Sequence, residues 1–131
     1  MCAIQTIRTP HAPAPAGHYS QATVYNGLVY VAWQLPLNPH TGHVEHEGDA
    51  EAQTERTLRN VEAVLTAAGS DLNHLLSVTL YVTGRDLWPQ VNAAFNRVLG
   101  THKPARAIIP VPELKPGCTI EIQAVAAVPQ D

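Results

Sequence analysis

Arg106 is the charged residue of this chain with the clearest chemical potential, because it interrupts an otherwise apolar run at residues 105–109. A guanidinium removed from water must be paired, and its planar fork matches the two oxygens of a carboxylate. The run therefore indicates either a clamp for a carboxylate ligand or an arginine bonded to a neighbouring carboxylate or to carbonyls. The local sequence alone favours the second interpretation.

Glu121 lies between Ile120 and Ile122 in the last apolar run of the chain. The pleat of a strand would turn its carboxylate to the face opposite the two isoleucines, where partial burial would raise its pKa. Such a carboxyl suits proton transfer or the positioning of water. The alternative is a half-exposed glutamate that forms a salt bridge with Arg106.

Tyr19 and Asn92 are weaker candidates for a site. A tyrosine beside a loop glycine is usually a packing residue, and an asparagine within a helix is usually on the surface.

His40, His43 and His46 invite a metal interpretation, but a spacing of three in an extended segment sends neighbouring side chains to opposite faces. We therefore predict no metal site. Cys2 and Cys118 have neither the spacing of a metal pair nor that of a disulfide framework, and Cys118 is expected to be buried rather than nucleophilic.

The elements that position these residues follow from the order of local patterns. An irregular lead is predicted for residues 1–17. Asn26-Gly27 separates two β-prone runs at residues 21–25 and 28–33, which predicts a hairpin with a type I′ turn, and residues 34–48 are predicted to form a loop.

Asp49 can cap a helix that ends at Gly69, with Leu58, Val61, Leu65 and Ala68 on one face. A strand at residues 75–82, with Leu76, Val78, Leu80 and Val82 predicted on one face, precedes a second helix that Asp86 opens and Gly100 ends. That helix should bury Val91, Ala94, Phe95 and Val98. Strands at residues 105–111 and 119–128 complete the chain.

The order is thus ββαβαββ, an α+β fold with one mixed sheet and two helices on one face. The second face of the last strand, which carries Glu121, Gln123 and Val125, is too apolar for free solvent, so it predicts self-association.

The bulk composition agrees with one small domain spanning residues 1–131. The chain has 131 residues, 45% hydrophobic and 15% charged, with a net charge of -3. These values disfavour disorder and a basic nucleic-acid surface. No apolar run reaches the roughly 20 residues of a membrane helix, and no secretory signal is recognisable, so the cytoplasm is the expected compartment. The phosphate-binding glycine motifs and the GxSxG elbow are absent from the sequence.

Several short motifs, taken in order, resemble the RidA (YjgF) family, whose members also carry an endoribonuclease L-PSP label. They are GHYSQ at 17–21, QLPLNP at 34–39 with TG at 41–42, Gln53, NV at 60–61, VN at 91–92, KPAR at 103–106 and IEI at 120–122. The resemblance implies a chorismate-mutase-like fold, a homotrimer with a central barrel, and clefts between subunits.

The resemblance also implies deamination of small 2-imino and 2-enamino acids made by pyridoxal-phosphate enzymes, with no cofactor of its own. Carried over by position, Arg106 would hold the substrate carboxylate, Glu121 would position the attacking water, and Tyr19 and Asn92 would line the cleft. The partners implied are a small carboxylate-bearing substrate and two further copies of the chain, with no nucleic acid and no membrane.

The chain departs from the family pattern within this cleft. Ala32-Trp33 stands where the family usually has Ser-Gly, Ile108 stands where a cysteine is common, and His18 replaces a proline. Trp33 and Ile108 are therefore predicted to contact the substrate, with either a narrower pocket or a different ligand as the result. His18 would add a titratable group, or it is a solvated loop histidine.

Three functions follow, in decreasing order of preference. The first is hydrolytic deamination of reactive imino acids, including a variant specific to one pathway. The second is a non-catalytic binder of small carboxylates. The third is RNA cleavage, which the acidic net charge disfavours.

Overall fold

The computed structural model describes residues 3–130, which form a six-stranded mixed sheet covered on one face by two helices. In chain order the elements are β1 (Gln5–Ile7), β2 (Ala22–Tyr25), β3 (Leu28–Gln34), α1 (Ala50–Ala67), β4 (Leu75–Val82), α2 (Trp88–Leu99), β5 (Ala105–Pro110) and β6 (Ile120–Ala127). Short 3-10 turns at Leu72–His74 and Arg85–Leu87 precede β4 and α2. The predicted α+β class and the ββαβαββ order are confirmed, with one strand added.

The added strand corrects the prediction of an irregular lead at residues 1–17. Gln5–Ile7 pairs antiparallel with β2 and buries Ile7. The rest of the lead is held beside the sheet by the buried side-chain amide of Gln21. Its oxygen accepts from the Thr9 amide at 2.7 Å, and its nitrogen donates to the Thr9 and Pro13 carbonyls. Hydrogen bonds to one side chain leave no periodic apolar pattern in the sequence, so the position of the lead could not be predicted from such a pattern.

The strand order is β1-β2-β3-β6-β4-β5, so β5 lies at one edge of the sheet and β6 at its centre. β5 pairs parallel with β4, whereas β6 runs antiparallel to both β3 and β4. The predicted hairpin is confirmed: Asn26 and Gly27 have φ of 51° and 75°, as a type I′ turn requires. This order places Arg106 on an edge strand and Glu121 on an inner one.

The core lies between the helices and one sheet face. Asp49 caps α1 by accepting from the Ala52 amide, and Leu58, Val61 and Leu65 are fully buried. α1 packs on β3 and β6 and against α2, which buries Val91, Ala94, Phe95 and Leu99, while Val98 is half-buried. The residues predicted to form the inner faces of the two helices are buried or half-buried, so both predictions are confirmed.

Two β-bulges shift side chains away from a simple alternation. In β4, Leu75 faces Ala126 and Ser77 faces Val125, so Leu76 is the extra residue and is 47% exposed. The prediction that Leu76 shares the buried face is therefore wrong, and Leu75 takes that place. In β3, Ala32 and Trp33 together fill the register between Val31 and Gln34.

The sheet face opposite the helices remains partly apolar in the single chain. Tyr30, Trp33 and Ile109 are each between 40% and 46% exposed on or beside this face. We call this surface the open face; on β6 it carries Glu121, Gln123 and Val125. Its composition matches the predicted second face of the last strand. Within residues 3–130, no helix is long and apolar enough to cross a membrane.

Candidate functional site

Arg106 lies at the outer edge of the sheet and reaches toward α2. Its register partner is Val78 on the buried face, so its side chain leaves β5 on the helix side. One guanidinium nitrogen donates to the Asn92 side-chain oxygen at 2.7 Å, and the guanidinium carbon is 5.1 Å from the centre of the Phe95 ring. Asn92 and Phe95 together orient the guanidinium.

The prediction that Arg106 stands in a buried run is wrong for the single chain. Ala105, Arg106, Ala107 and Ile109 are exposed because β5 has a neighbour on only one side. The flanking groups still desolvate the guanidinium enough to lower the pKa of Arg106 from its ordinary value. Among residues 3–130, no carboxylate lies within salt-bridge distance of it, so most of its N–H groups are available to a ligand.

A cavity of about 250 Å³ adjoins this guanidinium. Apolar groups of Phe95, Leu99 and Pro104 and polar groups of Asn92, Asn96, His102, Lys103 and Arg106 form its walls. Sequence reasoning gave no role to His102, Lys103 or Asn96. Lys103 could have been found, because it opens the KPAR motif three residues before Arg106.

Glu121 lies on the open face near the centre of the sheet. It pairs with Tyr81 of β4, and it is half-buried. Desolvation raises the pKa of the Glu121 carboxyl above its ordinary value of 4.5. The expected partial burial and the expected direction of the pKa shift both hold, so this carboxyl can exchange a proton closer to neutral pH than a solvated glutamate would.

Trp33 is close to Glu121 on the open face. The indole stacks on Tyr81 with ring centroids 4.4 Å apart and an interplanar angle of 26°. Since β3 and β4 flank β6, this aromatic pair crosses above β6 beside Glu121. The bulge at Ala32-Trp33 thus places a large ring next to the acidic group.

Arg106 and Glu121 are not brought together within one chain. Along β4, their register partners Val78 and Tyr81 are three residues apart, and β5 and β6 lie on opposite sides of β4. At ~3.3 Å per residue and ~4.8 Å between strands, their Cα atoms are ~14 Å apart. Their side chains also leave opposite faces of the sheet, so the alternative of a salt bridge between them within the chain is wrong.

The remaining candidates are dispersed in the same way. Tyr19, 52% exposed, lies between the lead and β2, where its hydroxyl accepts from the Ala16 amide at 3.2 Å. Ile108 packs partly against the core and lines a shallow hollow with Arg85, Trp88 and Pro110. His18, next to Tyr19, is exposed. The candidate residues of one chain therefore form two separate groups, which we call the half-sites of the predicted site. Arg106 and Asn92 lie near α2, with Ile108 on the strand of Arg106, whereas Glu121 and Trp33 lie on the open face.

Two further groups can be assigned structural positions. Cys118 is 5% exposed, and burial raises the pKa of its thiol, as expected for a packing cysteine; Cys2 lies outside the described residues. Within residues 3–130, no cluster of three or more His, Cys, Asp or Glu side chains could hold a metal ion, and His40, His43 and His46 are exposed in the loop before α1.

Comparison with known proteins assigns the chain to a family. The model of the family described as Endoribonuclease L-PSP matches residues 9–128. A RutC family protein from Pyrococcus abyssi is 36% identical over 122 residues, which cover 93% of this chain and 95% of the relative. The chain is thus a small domain of the L-PSP class. It belongs to the RidA family, also called YjgF or RutC.

Solved structures agree with this assignment. The crystal structure of RidA from the Antarctic bacterium Psychrobacter sp. superposes with a TM-score of 0.89 at 35% identity, covering 94% of this chain and 98% of that one. The structure of E. coli TdcF with bound serine has a TM-score of 0.88 at 27% identity, again covering 94% and 98% of the two chains. The resemblance and the fold read from the sequence motifs are confirmed.

Proposed function

We propose that this protein hydrolyses small reactive 2-imino and 2-enamino acids to 2-ketoacids and ammonia, in clefts between the subunits of a homotrimer. The observation that carries the proposal is Arg106: an oriented guanidinium beside a small cavity, with no carboxylate partner in residues 3–130. A bidentate bond to a substrate carboxylate is the interaction that such a group makes best. The serine bound to E. coli TdcF supports a ligand of this size and charge.

The proposed chemistry needs one carboxyl group in addition to the clamp. With the substrate held at Arg106, Glu121 of a neighbouring copy accepts a proton from a water molecule as the water oxygen attacks the C=N carbon. That proton is returned to the nitrogen, which gives the neutral carbinolamine. Glu121 then transfers the hydroxyl proton of the carbinolamine to the nitrogen, the C–N bond breaks, and ammonia leaves as the C=O bond of the ketoacid forms. The raised pKa of Glu121 suits both the acceptance and the return of the proton.

The homotrimer is part of the proposal because a single chain separates the two half-sites. Apposition of the β5 edge of one copy with the open face of the next would bring Arg106 and Glu121 to one cleft. It would also cover Tyr30, Trp33 and Ile109, which a monomer leaves exposed. A closed ring is the usual result of such a head-to-tail contact.

A coupled assay tests the proposed activity. Threonine dehydratase releases 2-iminobutanoate, and we expect the protein to accelerate the appearance of 2-oxobutanoate over the uncatalysed rate. Loss of charge-assisted hydrogen bonds worth ~1.5–3 kcal/mol should make Arg106→Ala about 10- to 100-fold slower. Arg59→Ala is the matched control, because among residues 3–130 the ion pairs of Arg59 are with Glu55 and Glu62 on α1; this variant should match the wild type.

Equal rates for wild type, Arg106→Ala and buffer would reject the deaminase. One observation favours a second candidate, a non-catalytic carboxylate binder: the Trp33–Tyr81 stack crowds the surroundings of Glu121. Calorimetry that shows 2-oxobutanoate binding in a protein without turnover would identify this second function.

A further inference from the structure

The cavity beside Arg106 carries a second cation that the hydrolysis of a simple imino acid does not use. Lys103 and Arg106 both line it, and within residues 3–130 of a single chain its walls contain no carboxylate, although the chain as a whole has a net charge of -3. Within residues 3–130, Lys103 has no carboxylate within 4.0 Å either. The cavity is therefore a local concentration of positive charge.

The segment that carries Lys103 is anchored rather than loose. The His102 ring nitrogen Nε2 lies 2.9 Å from the Leu75 carbonyl, and since a carbonyl only accepts, this nitrogen donates. Pro104 follows Lys103 and favours an extended backbone before it. These contacts hold the backbone of Lys103 beside the cavity, three residues before Arg106 in sequence.

The cavity that the two cationic residues line also has apolar walls. Phe95, Leu99 and Pro104 contribute to them, beside polar residues such as Asn96, and the guanidinium lies over the Phe95 ring. Drug-sized ligands occupy roughly 300–1,000 Å³, so a cavity of about 250 Å³ accepts a smaller molecule. A small cavity lined by two cationic residues and by apolar side chains is complementary to two acidic groups joined by a short hydrocarbon spacer.

We propose that the preferred ligands of this site are dicarboxylic 2-imino and 2-keto acids, with the 2-carboxylate on Arg106 and the distal carboxylate on Lys103. The inference rests on the proposed function, since it takes the first carboxylate to be held by Arg106. It places the protein after enzymes that oxidise acidic amino acids to imino acids, or that remove water from acidic amino acids with a β-hydroxyl group. Lys103 is thus a specificity-determining residue.

Calorimetry with two ketoacids of equal carbon number tests the inference. 2-Oxoglutarate and 2-oxopentanoate differ in the distal carboxylate, and we expect the wild type to bind 2-oxoglutarate roughly tenfold more tightly, as one charge-assisted contact allows. Lys103→Met should remove this preference and leave the affinity for 2-oxopentanoate within about twofold. Lys115→Met, at the only other lysine of the chain, should behave as the wild type. The preference should shrink with added salt.

The outcomes separate this inference from the proposed function. Equal affinity of the wild type for both acids, or a preference that survives Lys103→Met, overturns the second carboxylate site and leaves the Arg106 clamp intact. If the wild type binds neither acid, or if Arg106→Ala binds 2-oxopentanoate as well as the wild type, the clamp itself fails. At equal ionic strength, inorganic phosphate could bind the site as tightly as 2-oxoglutarate does. That result would indicate a general anion site and would also overturn the proposal.

Discussion

Partial burial raises the pKa of the Glu121 side chain, and the proposed chemistry depends on it. Its position between Ile120 and Ile122, on the face away from the helices, was predictable from the alternation of one strand, as was the direction of its pKa shift. Arg106 was also identifiable as an unusual charge. Its exposure was not predictable, because no local pattern states which strand lies at the edge of a sheet.

The ionisation of Glu121 predicts the pH dependence of the activity. If the carboxylate accepts a proton from water, kcat/KM should rise with pH through a pKa above the ordinary value of 4.5. Glu121→Gln keeps the shape of the side chain but cannot accept the proton, so activity should fall roughly 10²- to 10⁴-fold and lose this acid limb. Rate profiles of both proteins in the coupled assay measure the effect. If Glu121→Gln keeps the pH–rate profile of the wild type, Glu121 takes no part in the reaction.

Glu121→Gln should lower the activity but raise the stability of the folded protein at neutral pH. Between 4.5 and the raised pKa the folded state binds more protons than the unfolded state, so stability falls as pH rises through that window. Above the window, the folded protein carries the cost of an ionised, partly desolvated carboxylate. Glu121→Gln removes that cost, so its melting temperature should exceed that of the wild type at pH 7, and the difference should narrow below pH 4.5.

Helices and strands were predictable where their ends carry capping or turn residues. Asp49, Gly69, Gly100 and Asn26-Gly27 mark the boundaries of α1, α2 and the first hairpin within a residue or two. β1 was missed because three residues are too few for a periodic pattern. The two bulges were missed because they depend on register between strands distant in sequence.

Gln53 connects three elements around the start of β6. Its side-chain nitrogen donates to the Glu45 carbonyl at 3.0 Å and to the Gly117 carbonyl at 2.8 Å. Its oxygen accepts from the Thr119 amide at 2.9 Å and the Thr119 hydroxyl at 2.6 Å. This fully buried amide joins α1 to the loop before it and to the turn that leads to Glu121.

Replacing Gln53 should therefore cost substantial stability. Gln53→Ala leaves several backbone groups without partners, and we expect the free energy of unfolding to fall by about 2–4 kcal/mol. Urea denaturation measures the loss. Gln90→Ala, on the exposed side of α2, is the matched control and should change it by less than ~0.5 kcal/mol. Equal losses in the two variants would show that the Gln53 contacts do not hold this region together.

The whole molecule raises the question of how the half-sites meet. The motif resemblance implies clefts between subunits, and the proposed function uses such a cleft because the sheet topology separates the two residues within one chain. Within one chain, Arg106 and Glu121 lie on opposite faces of the sheet and on strands separated by β4. Both residues could be identified from the sequence, but the distance between them could not be predicted, because it depends on the order of the strands in the sheet. We therefore expect each site to combine Arg106 of one copy with Glu121 of the next.

Complementation between two variants with strongly reduced activity tests whether the site is shared between copies. Arg106→Ala and Glu121→Gln chains, each with its own affinity tag, are co-expressed, and particles that contain both chains are isolated by purification on each tag in turn. In a ring of three, every such particle has one junction that pairs an intact Arg106 with an intact Glu121 of the next chain, so about one site in three should regain wild-type activity. Mixed trimers no more active than either parent would contradict a shared site.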